Sequence, residues 1–199
     1  LVLALLAVEG TLGVVEAAGY DPVGSPGGRR LVVLASVGFG LLGLIDDLLG
    51  AGESGGFSGH LGALAKGRLT SGGVKLFGGA ALSLVVMAAI QPGSVGRILA
   101  DGALVALAAN FGNLVDRAPG RCLKVTGLSF VVLAALVAAD PALAGVAMVV
   151  GAAIALLPSD LGEDTMLGDA GANVVGAVLG IGVVLTCAPS TRTGVLVVV

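Results

Sequence analysis

Long apolar runs fill this chain and stop at short polar interruptions. They cover residues 1–18, 31–50, 74–90, 98–115, 123–139, 142–157 and 170–188, and a further run begins near 193. Each approaches the ~20 residues with which a helix crosses a hydrocarbon core. Only helices and closed barrels satisfy their backbone in lipid, and runs this long and unalternating do not read as barrel strands. The expected fold is all-α: a polytopic integral membrane protein with about seven complete transmembrane helices and the start of an eighth. Turn chemistry marks the breaks at Asp21-Pro22, Gly24-Ser25-Pro26-Gly27-Gly28, Gln91-Pro92-Gly93, Asp140-Pro141 and Ala188-Pro189-Ser190. No soluble domain fits between them, so residues 1–199 read as one transmembrane domain. A start at Leu1 and an end inside an apolar run suggest a piece of a longer chain. Leu1 to Ala18 carries Glu9 and Glu16 and no basic start, unlike a cleavable signal peptide.

Three polar clusters fall at the ends of alternate runs. Asp46-Asp47 closes the second, Asn110-x-x-Asn113-x-x-Asp116 closes the fourth, and Gly168-Asp169 follows the sixth. Ends two crossings apart lie on the same membrane face. Clusters ~50 to 65 residues apart in sequence therefore meet at one surface, and polar groups so costly in lipid mark a functional site.

Composition agrees with the membrane reading: 56% of residues are hydrophobic and only 12% charged, where a soluble domain carries about 25% charged. A net charge of −3 does not suggest nucleic acid as a partner. Thirty-five glycines sit within apolar runs, where small residues let helices approach closely, and Gly176-x-x-x-Gly180 is one such face. Basic residues give orientation: Lys66, Arg68, Lys75, Arg117, Arg121 and Lys124 lie on the cluster face, and Arg29, Arg30, Arg97 and Arg192 on the other. Six against four makes the cluster face cytoplasmic. Cys122 and Cys187 fall near opposite faces, ~30 Å apart and beyond disulfide reach, so both are expected reduced.

Each cluster has its own chemistry. Adjacent helical residues point about 100° apart, so Asp46 and Asp47 cannot do the same job. One faces a shared site while the other meets a basic group or water; a solvated helix end is the competing account. Asn110, Asn113 and Asp116 form one drifting stripe, and amides beside a carboxylate suit a sugar or nucleotide better than a proton path. Arg117, Arg121 and Lys124 follow directly and are placed to hold phosphate, or else lipid headgroups. In Met166-Leu167-Gly168-Asp169-Ala170-Gly171-Ala172-Asn173, Asp169 and Asn173 share a face. The amides of that helix start favour an anion, and a carboxylate beside an anion makes sense if Mg²⁺ bridges them; an acidic N-cap is the alternative. Asp160, Glu163 and Asp164 read as solvated loop charges. Gly38, Gly40 and Gly43 match a dinucleotide-binding spacing but lie inside a membrane run. Gly67, Gly72 and Lys75 lack the ending of a phosphate-binding loop. His60, in a glycine-rich loop, reads as incidental.

Taken in order, the clusters resemble the polyprenyl-phosphate N-acetylhexosamine-1-phosphate transferase family. That family includes the phospho-MurNAc-pentapeptide translocase and the UDP-GlcNAc:undecaprenyl-phosphate GlcNAc-1-phosphate transferases. The resemblance spans roughly 31–185. Asp46-Asp47 matches the family's Asp-Asp motif and Lys75 the lysine opening the next helix. Asn110, Asn113 and Asp116 match the first half of N-x-x-N-x-x-D-G-x-D-G, and Gly168-Asp169-x-Gly171 matches M-G-D-x-G-S. Three positions depart: Pro119 replaces the second loop Asp, Ala172 the usual Ser, and Met166 a common aromatic. The chain thus looks like a divergent branch.

The resemblance implies a fold of about ten helices in the plasma membrane, with its site facing the cytoplasm and a homodimer as one admissible assembly. It implies Mg²⁺-dependent transfer of an amino-sugar 1-phosphate from a UDP-sugar to a polyprenyl phosphate, releasing UMP, in cell-envelope glycan synthesis. On that basis Asp46, Asp47 and Asp169 are the expected catalytic residues. Asp169 holds Mg²⁺, Asp46 deprotonates or orients the acceptor phosphate, and Asp47 supports metal or acceptor. Lys75, Asn110, Asn113, Asp116, Arg117, Arg121, Gly168 and Asn173 are the expected substrate contacts. Direct transfer and a covalent phospho-aspartate route both stay open. The rival to an active enzyme is a catalytically silent paralog that binds lipid phosphate or UDP-sugar, motivated by Pro119. An ion-coupled transporter is disfavoured, because its carboxylates belong near the membrane midplane.

Overall fold

The computed structural model describes residues 2–20, 26–49, 62, 67, 70–90 and 93–199; His60, Lys66 and Arg68 lie outside them. Among the described residues all regular structure is helical. In chain order the helices are α1 (Val2–Ala17), α2 (Pro26–Leu49), α3 (Ser71–Ile90), α4 (Val95–Val115) and α5 (Arg121–Leu136). A 3₁₀ turn (Pro141–Leu143) then leads into α6 (Ala144–Ile154), followed by α7 (Leu157–Leu161), α8 (Gly168–Thr186) and α9 (Pro189–Val198).

Four of these are long and apolar enough to cross a membrane: α2, α3, α4 and α8, with 23, 20, 21 and 19 qualifying residues. The expected seven or more spans are therefore reduced to four by length and composition. The shortfall has local causes. α1 has 16 residues and includes Glu9 and Glu16. α5 ends at Leu136, where Ala138 and Ala139 take left-handed φ of 50° and 53° and turn the chain. The apolar run at 142–157 is not one helix: it ends at Ile154, and Pro158 opens the five-residue α7.

α8 is the central helix. Sixty-seven per cent of its apolar stretch is buried, against 28–39% for the other three long helices, and it packs most extensively on α4 and α2. The small-residue face foreseen at Gly176 and Gly180 makes this approach possible. A Cβ on Gly176 would stand 3.0 Å from the Ala109 Cα, and one on Gly180 would stand 3.1 Å from the Ala108 Cβ. Leu104, Val105, Val174, Val178 and Ile181 fill the seam between α4 and α8. Outward-facing Leu34, Leu41, Leu99, Leu128 and Val131 are all exposed, leaving an apolar periphery of the kind a lipid environment covers.

Charges far from the polar clusters are paired. Arg29 Nε lies 3.3 Å from Glu9 Oε2 and its Nη2 contacts Glu16, while Arg30 Nη2 donates to Glu16 across 2.9 Å. These bonds tie α1 to the start of α2. Asp101, buried in α4, receives Arg192 of α9 at 3.1 Å and Arg97 at 3.0 Å, so α9 is held against α4. Cys122 and Cys187 are both free thiols, near opposite ends of the bundle.

Candidate active site at the helix ends

Gly43 sets up the site. A Cβ there would stand 2.6 Å from the Ala170 nitrogen, so the bare backbone of α2 is what admits the first turn of α8. The glycine spacing that mimicked a nucleotide motif is thus a helix-packing surface. With the two helices in contact, the adjacent carboxylates at the end of α2 divide as their 100° separation requires.

Asp47 turns to α8. Its Oδ1 accepts the Asp169 N–H at 3.2 Å and its Oδ2 accepts the Ala170 N–H at 3.1 Å. It caps that helix from another helix, in the position where a side chain of the chain's own N-cap residue, Leu167, makes no bond. Gly168 enters the turn with φ 64°, a left-handed value that favours glycine. The anion that the structure places at this helix start is Asp47, bonded to the amides of Asp169 and Ala170. Asp169 is not the cap either, which leaves its carboxylate free for another partner.

That partner is Lys75. Its ammonium contacts Asp169 Oδ2 and lies 3.3 Å from Asp46 Oδ2, while Asp46 Oδ1 accepts the Ser71 hydroxyl at 2.9 Å. Two carboxylates from α2 and α8 thus converge on one cationic atom from α3. Beside them is a cavity of about 470 Å³, lined at its polar end by Asp46, Lys75, Asn110, Asn113 and Asn173. Phe39, Leu42, Leu76 and Leu107 form an apolar wall. Asn173 is buried and its Nδ2 donates to the Asp169 carbonyl at 2.7 Å, fixing the first turn of α8.

Asp116 stands apart from the cavity wall. It ends α4 beside the start of α8, near enough to Asp169 and the Gly168 backbone for both to act on its carboxyl. Burial raises the Asp116 pKa above the ordinary carboxylate value; the nearby Asp160 and Asp169 charges add to this, and the Gly168 N–H and Arg121 oppose it. Arg117, Arg121 and Lys124 are exposed. Arg121 Nε donates to the Val115 carbonyl at 2.7 Å, so this guanidinium closes the last turn of α4 instead of reaching into the cavity.

Asp160 corrects the sequence reading. Far from being a solvated loop charge, it is buried, and its Oδ2 accepts the Gly120 N–H at 2.6 Å. It pins the 116–121 turn, in which Gly120 adopts φ 68°. Glu163 and Asp164 are exposed, as expected. Glycine at 120 signals a turn, but nothing local names a partner 40 residues away.

A divalent cation suits the point now held by the Lys75 ammonium, because two hard carboxylate oxygens already meet there. Among the described residues no group of three acidic, His or Cys side chains surrounds one point. Any cation would complete its coordination with phosphate oxygens and water. The chain matches no family model, no curated protein and no solved structure.

Proposed function

We propose that this chain is the core of a membrane phosphoglycosyltransferase that moves an N-acetylhexosamine 1-phosphate from a UDP-sugar to a polyprenyl phosphate. The observation that carries the reading is the amphipathic cavity. Asp46, Lys75 and three asparagines stand at one end and Phe39, Leu42, Leu76 and Leu107 along the side, at the ends of helices long enough to cross a bilayer. A lipid phosphate has the same polarity: an anionic head on an apolar chain. The cavity volume also falls within the about 300–1,000 Å³ typical of small-molecule sites.

In the net reaction an acceptor phosphate oxygen bonds to the sugar-side phosphorus of the donor. The bridging P–O bond breaks, and its electrons leave on UMP. Such chemistry needs positioning and charge neutralisation more than covalent help. Asp46, fixed by Ser71, orients the acceptor phosphate and takes its proton. Asn110 and Asn113 present amides to the sugar and nucleotide, and Lys75 supplies positive charge. Asp46 and Asp169 would hold Mg²⁺, whose contribution when bound is neutralisation of phosphate charge. Asp47 and Asn173 hold the start of α8, and with it Asp169, in place. Asp116 and Asp160 order the neighbouring loop.

In this proposal the shorter helices α1, α5 and α6 pack beside the four long ones, and any of them that crosses does so where the bilayer thins around it, since tilting only shortens the thickness a helix spans. The cluster face is cytoplasmic on the distribution of basic residues. The test is exchange of labelled UMP with a panel of UDP-sugars in membranes supplied with polyprenyl phosphate and Mg²⁺. Exchange with at least one donor is expected. Saturable UDP-sugar binding without UMP release would instead identify a silent paralog, a reading that the Pro119 substitution and the engaged Arg121 favour. Absence of binding would refute both.

A further inference from the structure

Lys75 holds two roles that cannot be filled at once. A phosphate in the cavity needs its ammonium, yet that ammonium is committed to Asp46 Oδ2 and Asp169 Oδ2. Both oxygens of Asp46 already have partners, Oδ1 accepting the Ser71 hydroxyl and Oδ2 facing Lys75. Both carboxylates are largely withdrawn from water, with side chains 21% and 26% exposed, so they repel each other unless a cation stands between them.

We infer that Lys75 is a resident counter-cation: it occupies the place a divalent metal takes between Asp46 and Asp169, and metal binding releases it into the cavity to meet an anionic phosphate. The identity of that phosphate rests on the transferase reading; the competition for two carboxylates does not. The exchange breaks no covalent bond: the carboxylate pair, net −1 with Lys75 between them, becomes neutral with the metal, and the charge of the released ammonium is met by the incoming phosphate anion. The ammonium swings on a flexible stem that already lines the cavity, while the metal inherits both oxygens. Without metal the repulsion between the two carboxylates is then relieved by Lys75, and metal loading itself arms the phosphate-binding lysine.

Two measurements on the detergent-solubilised protein test this. Mn²⁺ binding, followed by loss of the free-ion electron paramagnetic resonance signal, compares wild type with Lys75→Met. Removing both a competitor and a like charge should tighten Mn²⁺ binding about tenfold or more. In unmutated protein, reductive methylation of Lys75, read by mass spectrometry, should accelerate severalfold when Mg²⁺ replaces K⁺ at constant ionic strength. This second measurement needs no variant to fold. Equal or weaker Mn²⁺ binding by Lys75→Met, or a labelling rate indifferent to Mg²⁺, would overturn the inference. Metal-dependent labelling without UMP exchange would uphold it and remove the transferase reading alone. Normal UMP exchange with metal-indifferent labelling would do the reverse.

Discussion

Replacing Asp47 with Ala separates positioning from chemistry at this site. The substitution strips an acceptor from two N–H groups at the start of α8, bonded at 3.2 and 3.1 Å. Loss of a capping side chain costs about 0.5–2 kcal/mol, and loss of a carboxylate at a helix N-terminus adds about 0.3–1 kcal/mol. A total near 2 kcal/mol, at about 2–4 °C per kcal/mol for a chain of this size, lowers the midpoint of unfolding by about 4–8 °C. Asp47→Asn keeps a neutral acceptor and should fall about halfway. The protein has no Trp, so a thiol-reactive fluorophore is the practical reporter: Cys122 is buried until the bundle opens, and the partly exposed Cys187 is first replaced by Ser in every protein compared. A wild-type midpoint for Asp47→Ala would refute the inter-helix cap. Asp169→Asn leaves that cap intact, and should abolish Mg²⁺-dependent turnover while unfolding near the wild-type temperature.

Asp116→Asn should stabilise the protein at neutral pH. The native-state pKa of Asp116 is raised by burial and by Asp160, so the native state binds the proton more tightly than the unfolded chain does. Stability from this group is present at low pH and is lost as pH rises through the raised native value. Above it the charged form is a constant penalty, which the amide removes. Unfolding midpoints of the two proteins should therefore converge as pH falls through that range, and a gap unchanged with pH would contradict the assignment. Gly43→Ala, although a mild change within a helix, should separate α2 from α8 and weaken Mn²⁺ binding and unfolding midpoint together; loss of neither would mean the helices do not meet there.

Periodicity and spacing were enough to anticipate an all-helical chain, the meeting of three remote clusters and the close face at Gly176 and Gly180. Each of these depends on where a residue sits along its own helix. Pairings between helices are a different matter. That Asp46 faces Lys75 while Asp47 faces α8 depends on the rotation of α2 against α8, which Gly43 sets and no local pattern encodes. Asp160 looked solvated because its neighbours Glu163 and Asp164 are. Its burial comes from the 116–121 turn folding over it. Charge and position along the chain likewise do not reveal that Arg121 Nε donates to the last carbonyl of α4. The span count failed for a related reason: hydropathy summed along the chain does not register the turn at Ala138 and Ala139 or the break at Pro158.

The ion pairs joining α1 to α2 bear on how such a chain enters a bilayer during synthesis. A charged side chain at the centre of a helix alone in lipid costs about 2.5–3.5 kcal/mol on insertion scales. α1 carries Glu9 and Glu16, and the arginines that answer them, Arg29 and Arg30, emerge from the ribosome only later. If α1 crosses as proposed, released singly it would carry two uncompensated carboxylates into hydrocarbon. Entering as a hairpin with α2, it brings their counter-charges along. On the proposal that α1 is a further crossing, its unit of integration is the pair it forms with α2, and charge-reversing Arg29 should impair insertion of α1.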